Sequence, residues 1–278
     1  MVKFSAFADE VTDDLAGQVE FLVSQNIRNI EVRFLNQKNI MDLEKRELLE
    51  AKKMLDDNGI SVSAIGSPIG KIKLDQPFEV HLDKFKHAIE LAVFFEAPLI
   101  RIFSYYAPDG KCIDDFREEV LNRMAVKAEL MKGSNVILVH ENESHIYGHI
   151  AEHCADIAGS VNSPGLKLAY DPGNFVWGNN ITGSMVQCWR VMEPYVEHVH
   201  IKDWKSGSAD TGSLPGEGDG GIKALLKRLS EIHYHGFLTM EPHLVSGGRF
   251  SGKTSPELFK RAIKATREIC DQVNLEYC

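Results

Sequence analysis

No uninterrupted apolar stretch in this chain approaches the roughly 20 residues that a membrane span needs. VILV, LIRIF and LAVFF are all short. The opening MVKFSAFADEV has no basic segment followed by a long apolar one, so no secretory signal is read and a cytoplasmic protein without a membrane partner is expected. Cysteine is sparse. Cys112, Cys154, Cys188, Cys270 and Cys278 are odd in number, scattered and never spaced C-x-x-C, which argues against a disulfide framework and a thiolate zinc site. Positive charge is also in deficit, with 31 Lys and Arg against 40 Asp and Glu for a net charge of −9. A nucleic-acid partner calls for a basic footprint, and none is dense enough here. A small phosphorylated ligand is still compatible, because one Arg or one helix N-terminus can hold a single phosphate.

What is present is repetition. A hydrophobic share of 44% over 278 residues is enough for a sizeable core. Eight strand-like runs follow one another: KFSAFA (3–8), NIEVRF (29–34), SVSAIGS (61–67), LIRIFSY (99–105), NVILVHE (135–141), LKLAYD (166–171), HVHIKDW (198–204) and FLTMEP (237–242). Stretches of helical period lie between them. Leu15, Val19, Leu22 and Val23 recur on one face behind a cap expected at Thr12, and Leu82, Phe85, Ile89, Ala92 and Val93 do the same in the third unit. Gly, Asn or Pro stops precede several strands, as in DDNGISV and NSPGLKL. Units of about 25–40 residues have the size of a βα repeat. Eight of them predict a single-domain (β/α)8 barrel over residues 1–278, with a doubly wound open sheet as the alternative. The long Gly-rich stretch 205–221 follows the seventh strand and reads as a functional loop rather than a linker.

Four of the runs end in metal-ligand chemistry. Glu141, Asp171, His200 and Glu241 each stand near the end of an apolar run in consecutive units five to eight. In a closed parallel barrel those ends meet at one mouth. Three carboxylates and one imidazole there describe a mononuclear site for a fairly hard divalent cation. Strand parity sharpens the choice: Glu141 shares a face with Ile137 and Val139, and His198 shares one with His200, which lies nearer the strand end. An acid at a strand end is more often a helix cap or ion-pair partner, but that explanation would have to hold four times independently.

The chain resembles the xylose isomerase-like TIM-barrel superfamily of sugar isomerases and epimerases, which also contains tagatose 3-epimerase-like enzymes, hydroxypyruvate isomerase, inosose dehydratase and endonuclease IV. The motifs that carry the resemblance are HENE around Glu141, YDPGNF around Asp171, HVHIKD around His200, PGEGDG (215–220) and HGFLTMEPH around Glu241. It implies that Glu141, Asp171, His200 and Glu241 bind one divalent metal, manganese first, with magnesium, cobalt or zinc as alternatives. It further implies that Glu141 and Glu241 form an acid/base pair acting on a sugar or sugar phosphate. The chemistry is coherent: removing a proton beside a carbonyl needs a base and a Lewis acid on the oxygen that turns negative. Reprotonation from the opposite face gives epimerisation, reprotonation at the adjacent carbon gives isomerisation, and loss of a β-hydroxyl gives dehydration. An isomerase or epimerase is the first reading, with an inosose-type dehydratase and a non-catalytic sugar-binding barrel behind it. Endonuclease IV is disfavoured, because strands three and four here carry no histidine.

Other polar residues are expected toward the same mouth. Arg33, Arg101, His145, Asn174, Lys202, Asp203 and Glu217 are candidates for substrate contact, with Asn174 standing where several relatives have histidine. Glu31 and Arg33 share a strand face, and a buried Arg–Glu pair bracing the barrel competes with a substrate role for Arg33 or Arg101. Tyr147 is a candidate substrate cover, and GGRFSGK (247–253) a weak candidate phosphate loop. Oligomeric state is left open between a monomer and a homo-oligomer.

Overall fold

Eight parallel strands follow one another round a barrel: β1 (Lys3–Ala6), β2 (Asn29–Val32), β3 (Ser61–Gly66), β4 (Leu99–Ile102), β5 (Ile137–Glu141), β6 (Leu166–Tyr170), β7 (Val196–Ile201) and β8 (Phe237–Met240). This computed structural model describes residues 1–208, 210–246 and 252–278. The ladder runs without a break from β1 through β8 and back down to β2. At the β1–β2 seam Asn29 donates its side-chain amide to the Phe4 carbonyl at 3.0 Å, and across the interior Ser5 and Ser63 share a hydroxyl hydrogen bond of 2.6 Å. The architecture is therefore the (β/α)8 barrel expected, with every strand run found in order; most are trimmed at the loop end, while β5 keeps Glu141 and starts two residues later and β7 starts two residues earlier.

The helices pack outside: α1 (Leu15–Ser24), α2 (Lys45–Asp57), α3 (Phe78–Phe95), α4 (Arg117–Leu130), α5 (Ala151–Val161), α6 (Pro172–Asn179), α7 (Ile222–Glu231) and α8 (Pro256–Gln272). Their starts have local causes. Asp14, not Thr12, caps α1 by accepting the Gly17 amide at 2.7 Å, while Thr12 donates to the Asp14 carboxylate. Both have the right chemistry, but Asp14 sits directly before the first helical residue. Glu44 and Glu47 form a reciprocal capping box on α2, and Ser255 caps α8 ahead of Pro256. Leu15, Val19 and Leu22 of α1 are buried, whereas Val23 of α1 and Val93 of α3, expected on the same faces, are exposed. Two local features were not legible as strand or helix runs: an antiparallel ribbon pairing Phe34–Leu35 with Lys38–Asn39 round a turn with positive φ at Asn36 and Gln37, and a π-helical turn at Met185–Trp189.

The large apolar core lies between the strands and the helices. Inside the barrel the apolar part is small, with Ala64, Leu99, Val139 and Ala169 packed beside Ile137 and Phe237. Above that plug the interior turns polar, through Glu31, His198, His200 and Thr239, all buried. Among the described residues no helix is long and apolar enough to cross a membrane.

Candidate metal centre

The barrel delivers the four expected ligands to one point. Glu141 is the last residue of β5, Asp171 follows β6 and caps α6 through the Asn174 amide at 3.0 Å, His200 is in β7, and Glu241 follows β8. All four are buried, and one ligand atom from each lies within 4.8 Å of the others. His200 Nδ1 stands 3.3 Å from Glu141 Oε1, 3.3 Å from Glu241 Oε2 and 4.0 Å from Asp171 Oδ2. Ligands bonded to a single ion at about 2.0–2.2 Å are separated by roughly 3–4 Å, so this spacing is that of a coordination shell. Asp171 Oδ2 and Glu241 Oε2 have no hydrogen-bond partner among the described residues, although both are buried. Buried anionic oxygens without donors are costly unless a cation joins them. The donor set and its geometry fit a divalent metal.

Charged neighbours hold the four candidate ligands in place. Arg33 donates to Asp9 at 2.9 Å and to Glu241 Oε1 at 3.0 Å, while its guanidinium lies over the Phe7 ring. Arg101 approaches Glu141 Oε2 at 3.3 Å and donates to the Gly66 carbonyl. Buried Arg–Glu pairs do form, Arg33 with Glu241 and Arg101 with Glu141. Arg33 belongs to Asp9 and Glu241, and Glu31 instead faces His198 and His200 in the interior. The shared parity was read correctly, but Arg33 lies beyond the end of β2, where its longer side chain reaches the mouth.

Asn174 joins two halves of the centre. Its Nδ2 donates to Glu141 Oε1 at 3.1 Å, and its Oδ1 accepts from Lys202 Nζ at 2.9 Å. Lys202 Nζ also stands 3.4 Å from Asp171 Oδ2 and 3.7 Å from Glu241 Oε2. Gly173 makes this approach feasible, since a Cβ there would lie 2.6 Å from Lys202 Cγ. Burial raises the carboxyl of Asp171 and the Lys202 ammonium only partly offsets it, leaving a pKa of about 7. Burial acts the same way on Glu141, but His200 and Arg101 outweigh it and bring the group down to about 2. Glu241 is held well below the carboxylate range, because Lys202, His243 and His200 overcome its burial. Burial disfavours the charge on His200, yet Glu31 and Glu141 on either side raise its pKa well above the ordinary imidazole value.

The remaining candidates lie elsewhere. Asp203 is fully buried and spends its carboxylate on the amides of Trp204, Gly216, Gly218 and Gly220, at 2.8 to 3.0 Å. That arrangement pins the loop after β7 and explains the alternating glycines of PGEGDG. Glu217, on the same loop, is exposed, and so is His145. Tyr147 turns away from the mouth to donate to Asp156 and stack on His153. Residues 247–251 of the candidate phosphate loop lie outside the described residues.

Three residues at the mouth were missed. Asp9 and Glu10 follow β1, and His243 follows Glu241 by two. His243 Nε2 lies 3.2 Å from Glu241 Oε1 and 3.3 Å from Glu10 Oε1, while Glu10 Oε2 accepts from Thr254 Oγ1 and the His243 amide. Burial, reinforced by Glu241, pushes Glu10 up to about 8. The signal was available: acids at the end of FSAFADEV obey the same strand-end rule as the other four.

Known proteins share this fold. Residues 19–269 match the family profile described as xylose isomerase-like TIM barrel. Over 188 residues the chain is 22% identical to a 3-dehydroshikimate dehydratase of Bacillus anthracis, a match spanning 68% of this chain and 66%, just under two thirds, of that protein. A D-tagatose 3-epimerase-like protein superposes with a TM-score of 0.77 at 16% identity, covering 98% of both chains. A xylose isomerase-like TIM barrel protein from Mycobacterium smegmatis, solved in complex with magnesium, gives 0.73 at 14% identity over 96% of this chain and 97% of that one. At these identities the likeness is one of fold.

Proposed function

The chain belongs to the xylose isomerase-like TIM barrel family, and we propose that it is a divalent-metal-dependent isomerase or epimerase of a sugar or sugar phosphate. One observation carries the reading. Glu141 and Glu241 come from strands on different sides of the mouth, yet both bring an oxygen within 3.3 Å of His200 Nδ1, and each is braced by its own arginine. Glu141, Asp171, His200 and Glu241 would hold the ion. Their oxygen-rich set suits manganese or magnesium first, with cobalt or zinc as alternatives. When bound, the ion would act as a Lewis acid on a substrate oxygen beside the reacting carbon.

The protein's own groups do the rest. Two carboxylates flanking one position allow a proton to leave from one side and return from the other. Arg33 ties down Oε1 of Glu241 and leaves Oε2 turned toward the centre. Lys202 points its ammonium into the same space, where it can donate to a substrate oxygen that gains charge. Asn174 sets the spacing between Lys202 and Glu141.

A second reading is a dehydratase, supported by the likeness to the Bacillus anthracis 3-dehydroshikimate dehydratase. On that reading Lys202 assists the departing β-hydroxyl. The test is product analysis in deuterated water with manganese present, across ketoses, sugar phosphates, inososes and dehydroshikimate. Deuterium at a carbinol carbon of an otherwise intact sugar supports the first reading, and formation of an enone or aromatic product supports the second. Tight sugar binding without exchange or product would leave a non-catalytic binding barrel.

A further inference from the structure

Below the proposed metal centre, in the barrel interior, two buried histidines converge on one carboxylate oxygen. Glu31 Oε2 accepts from His198 Nε2 at 2.8 Å and lies 3.3 Å from His200 Nε2. Thr239 Oγ1 meets His198 Nε2 from the other side at 3.2 Å. Glu31, His198, His200 and Thr239 are all essentially inaccessible to solvent. The ring of His200 is fixed in orientation by two edge contacts, with Phe7 at 5.3 Å and with His198 at 5.0 Å. Its two nitrogens therefore face different surroundings. Nδ1 looks at Glu141, Glu241 and Asp171, and Nε2 looks at Glu31.

We infer that Glu31 is a positioning residue for the metal centre: it holds the proton of His200 on Nε2 and so leaves Nδ1 as the ligand nitrogen. The inference rests on the proposed metal site. An imidazole offers one lone pair only when its other nitrogen carries the proton, and the partner of that second nitrogen decides which one does. A carboxylate can only accept, so at this place it admits His200 in a single orientation. His198 is the brace. By donating to the same Glu31 oxygen it fixes the carboxylate 3.3 Å from His200 Nε2, a nitrogen with no other polar partner among the described residues, and Thr239 keeps His198 in register through the β7–β8 pairing of His200 with Thr239. The sequence shows why three strands are needed: Glu31 comes from β2, the histidines from β7 and the threonine from β8, and only barrel closure brings them together. The group Glu31, His198 and His200 has the residue types to hold a second ion instead. The 2.8 Å contact is that of a hydrogen bond already made, and this favours positioning over ligation.

The experiment compares wild-type full-length protein with Glu31→Gln by magnesium and zinc titration calorimetry and by nitrogen-edited NMR of the histidine rings. A Gln amide presents a donor as well as an acceptor, so the proton on His200 is no longer confined to Nε2. The expected result is a wild-type His200 with a proton on Nε2 both with and without metal, one metal per chain, and a loss of about 10–100-fold in metal affinity in Glu31→Gln. A wild-type His200 bearing its only proton on Nδ1 overturns the inference, as does unchanged affinity in a folded Glu31→Gln protein. Two metals per chain, with loss of one in the variant, would make Glu31 a ligand and overturn it equally. If wild type binds no metal, the proposed function fails, while the NMR result on His200 still decides the role of Glu31. That wild-type measurement also stands if the variant does not fold.

Discussion

Asp203 Oδ2 accepts the Gly218 amide at 3.0 Å, while Oδ1 occupies the place a side chain at 218 would need, 2.3 Å from a Cβ built there. One carboxylate thus sets both the path of the loop after β7 and the residue type it tolerates. Replacing Asp203 by Asn would turn an amide group toward a cluster of backbone donors. The cost of leaving such buried groups unsatisfied is about 1–3 kcal/mol each. Asp203→Asn and Gly218→Ala should both raise hydrogen exchange across 205–221 and lower turnover, with metal binding retained. Unchanged exchange in that segment would show that the loop is held by something else.

Metal binding should release protons. Glu31 and Glu141 raise the pKa of His200 despite its burial, and burial leaves Asp171 near 7. A raised pKa means the proton is bound below that value and competes with the ion, so affinity should climb with pH through about 6 to 8 as Asp171 ionises. Titration calorimetry in buffers of different ionisation enthalpy counts the released protons directly. His200→Ala should abolish tight binding while leaving the fold intact, as seen by circular dichroism. Full metal occupancy in that variant would refute the site.

A separate strain sits in the helical layer. Lys127 of α4 is fully buried, its Nζ has no hydrogen-bond partner among the described residues, and it lies 4.6 Å from the Tyr105 ring centroid. Burial, aided by Arg123, brings its pKa down to about 7. In the unfolded chain a lysine titrates near 10.4. Between those values the unfolded state carries a proton that the native state lacks, so stability rises with pH across that window, and the penalty is complete below it. Lys127→Met should therefore raise the melting temperature, by the equivalent of roughly 1–4 kcal/mol at about pH 6 and by less at about pH 9.5. Calorimetry at the two pH values checks this. Equal gains would mean that packing, not charge, sets the difference.

The barrel was legible because each βα unit announces itself locally, with a short apolar run, a stop and a 3.6-residue period. Glu141, Asp171, His200 and Glu241 were legible because residue type and strand end coincide in each. What could not be read was pairing across the barrel. Arg33 chooses Asp9 and Glu241 over its near neighbour Glu31, from positions 24 and 208 residues away. Asp203 looked like a mouth residue, and only the folded loop shows its carboxylate turned back onto three glycines. Asp9 and Glu10 obey the same strand-end rule in the first unit, where they follow β1.

The proposed acid/base pair gives the most discriminating prediction. Glu241 keeps Oε1 on Arg33 and His243 and turns Oε2 toward His200 Nδ1 and Lys202. Glu241→Gln preserves the shape and one oxygen for ligation but removes most of the basicity. Metal affinity should fall only partly, while turnover should drop by about 10²–10⁴-fold, the range for losing a general acid or base. Glu141→Gln should behave alike, since Glu141 meets the same His200 nitrogen from the other side and is braced by Arg101. The two variants part company in isotope exchange. A base that only removes the substrate proton, once replaced, stops exchange with solvent from the substrate side alone, while exchange from the product side persists through its partner. Measuring exchange from both directions in deuterated water assigns each glutamate its face. If either variant exchanges at the wild-type rate from both sides, that residue is a ligand only, and the two-carboxylate mechanism is wrong.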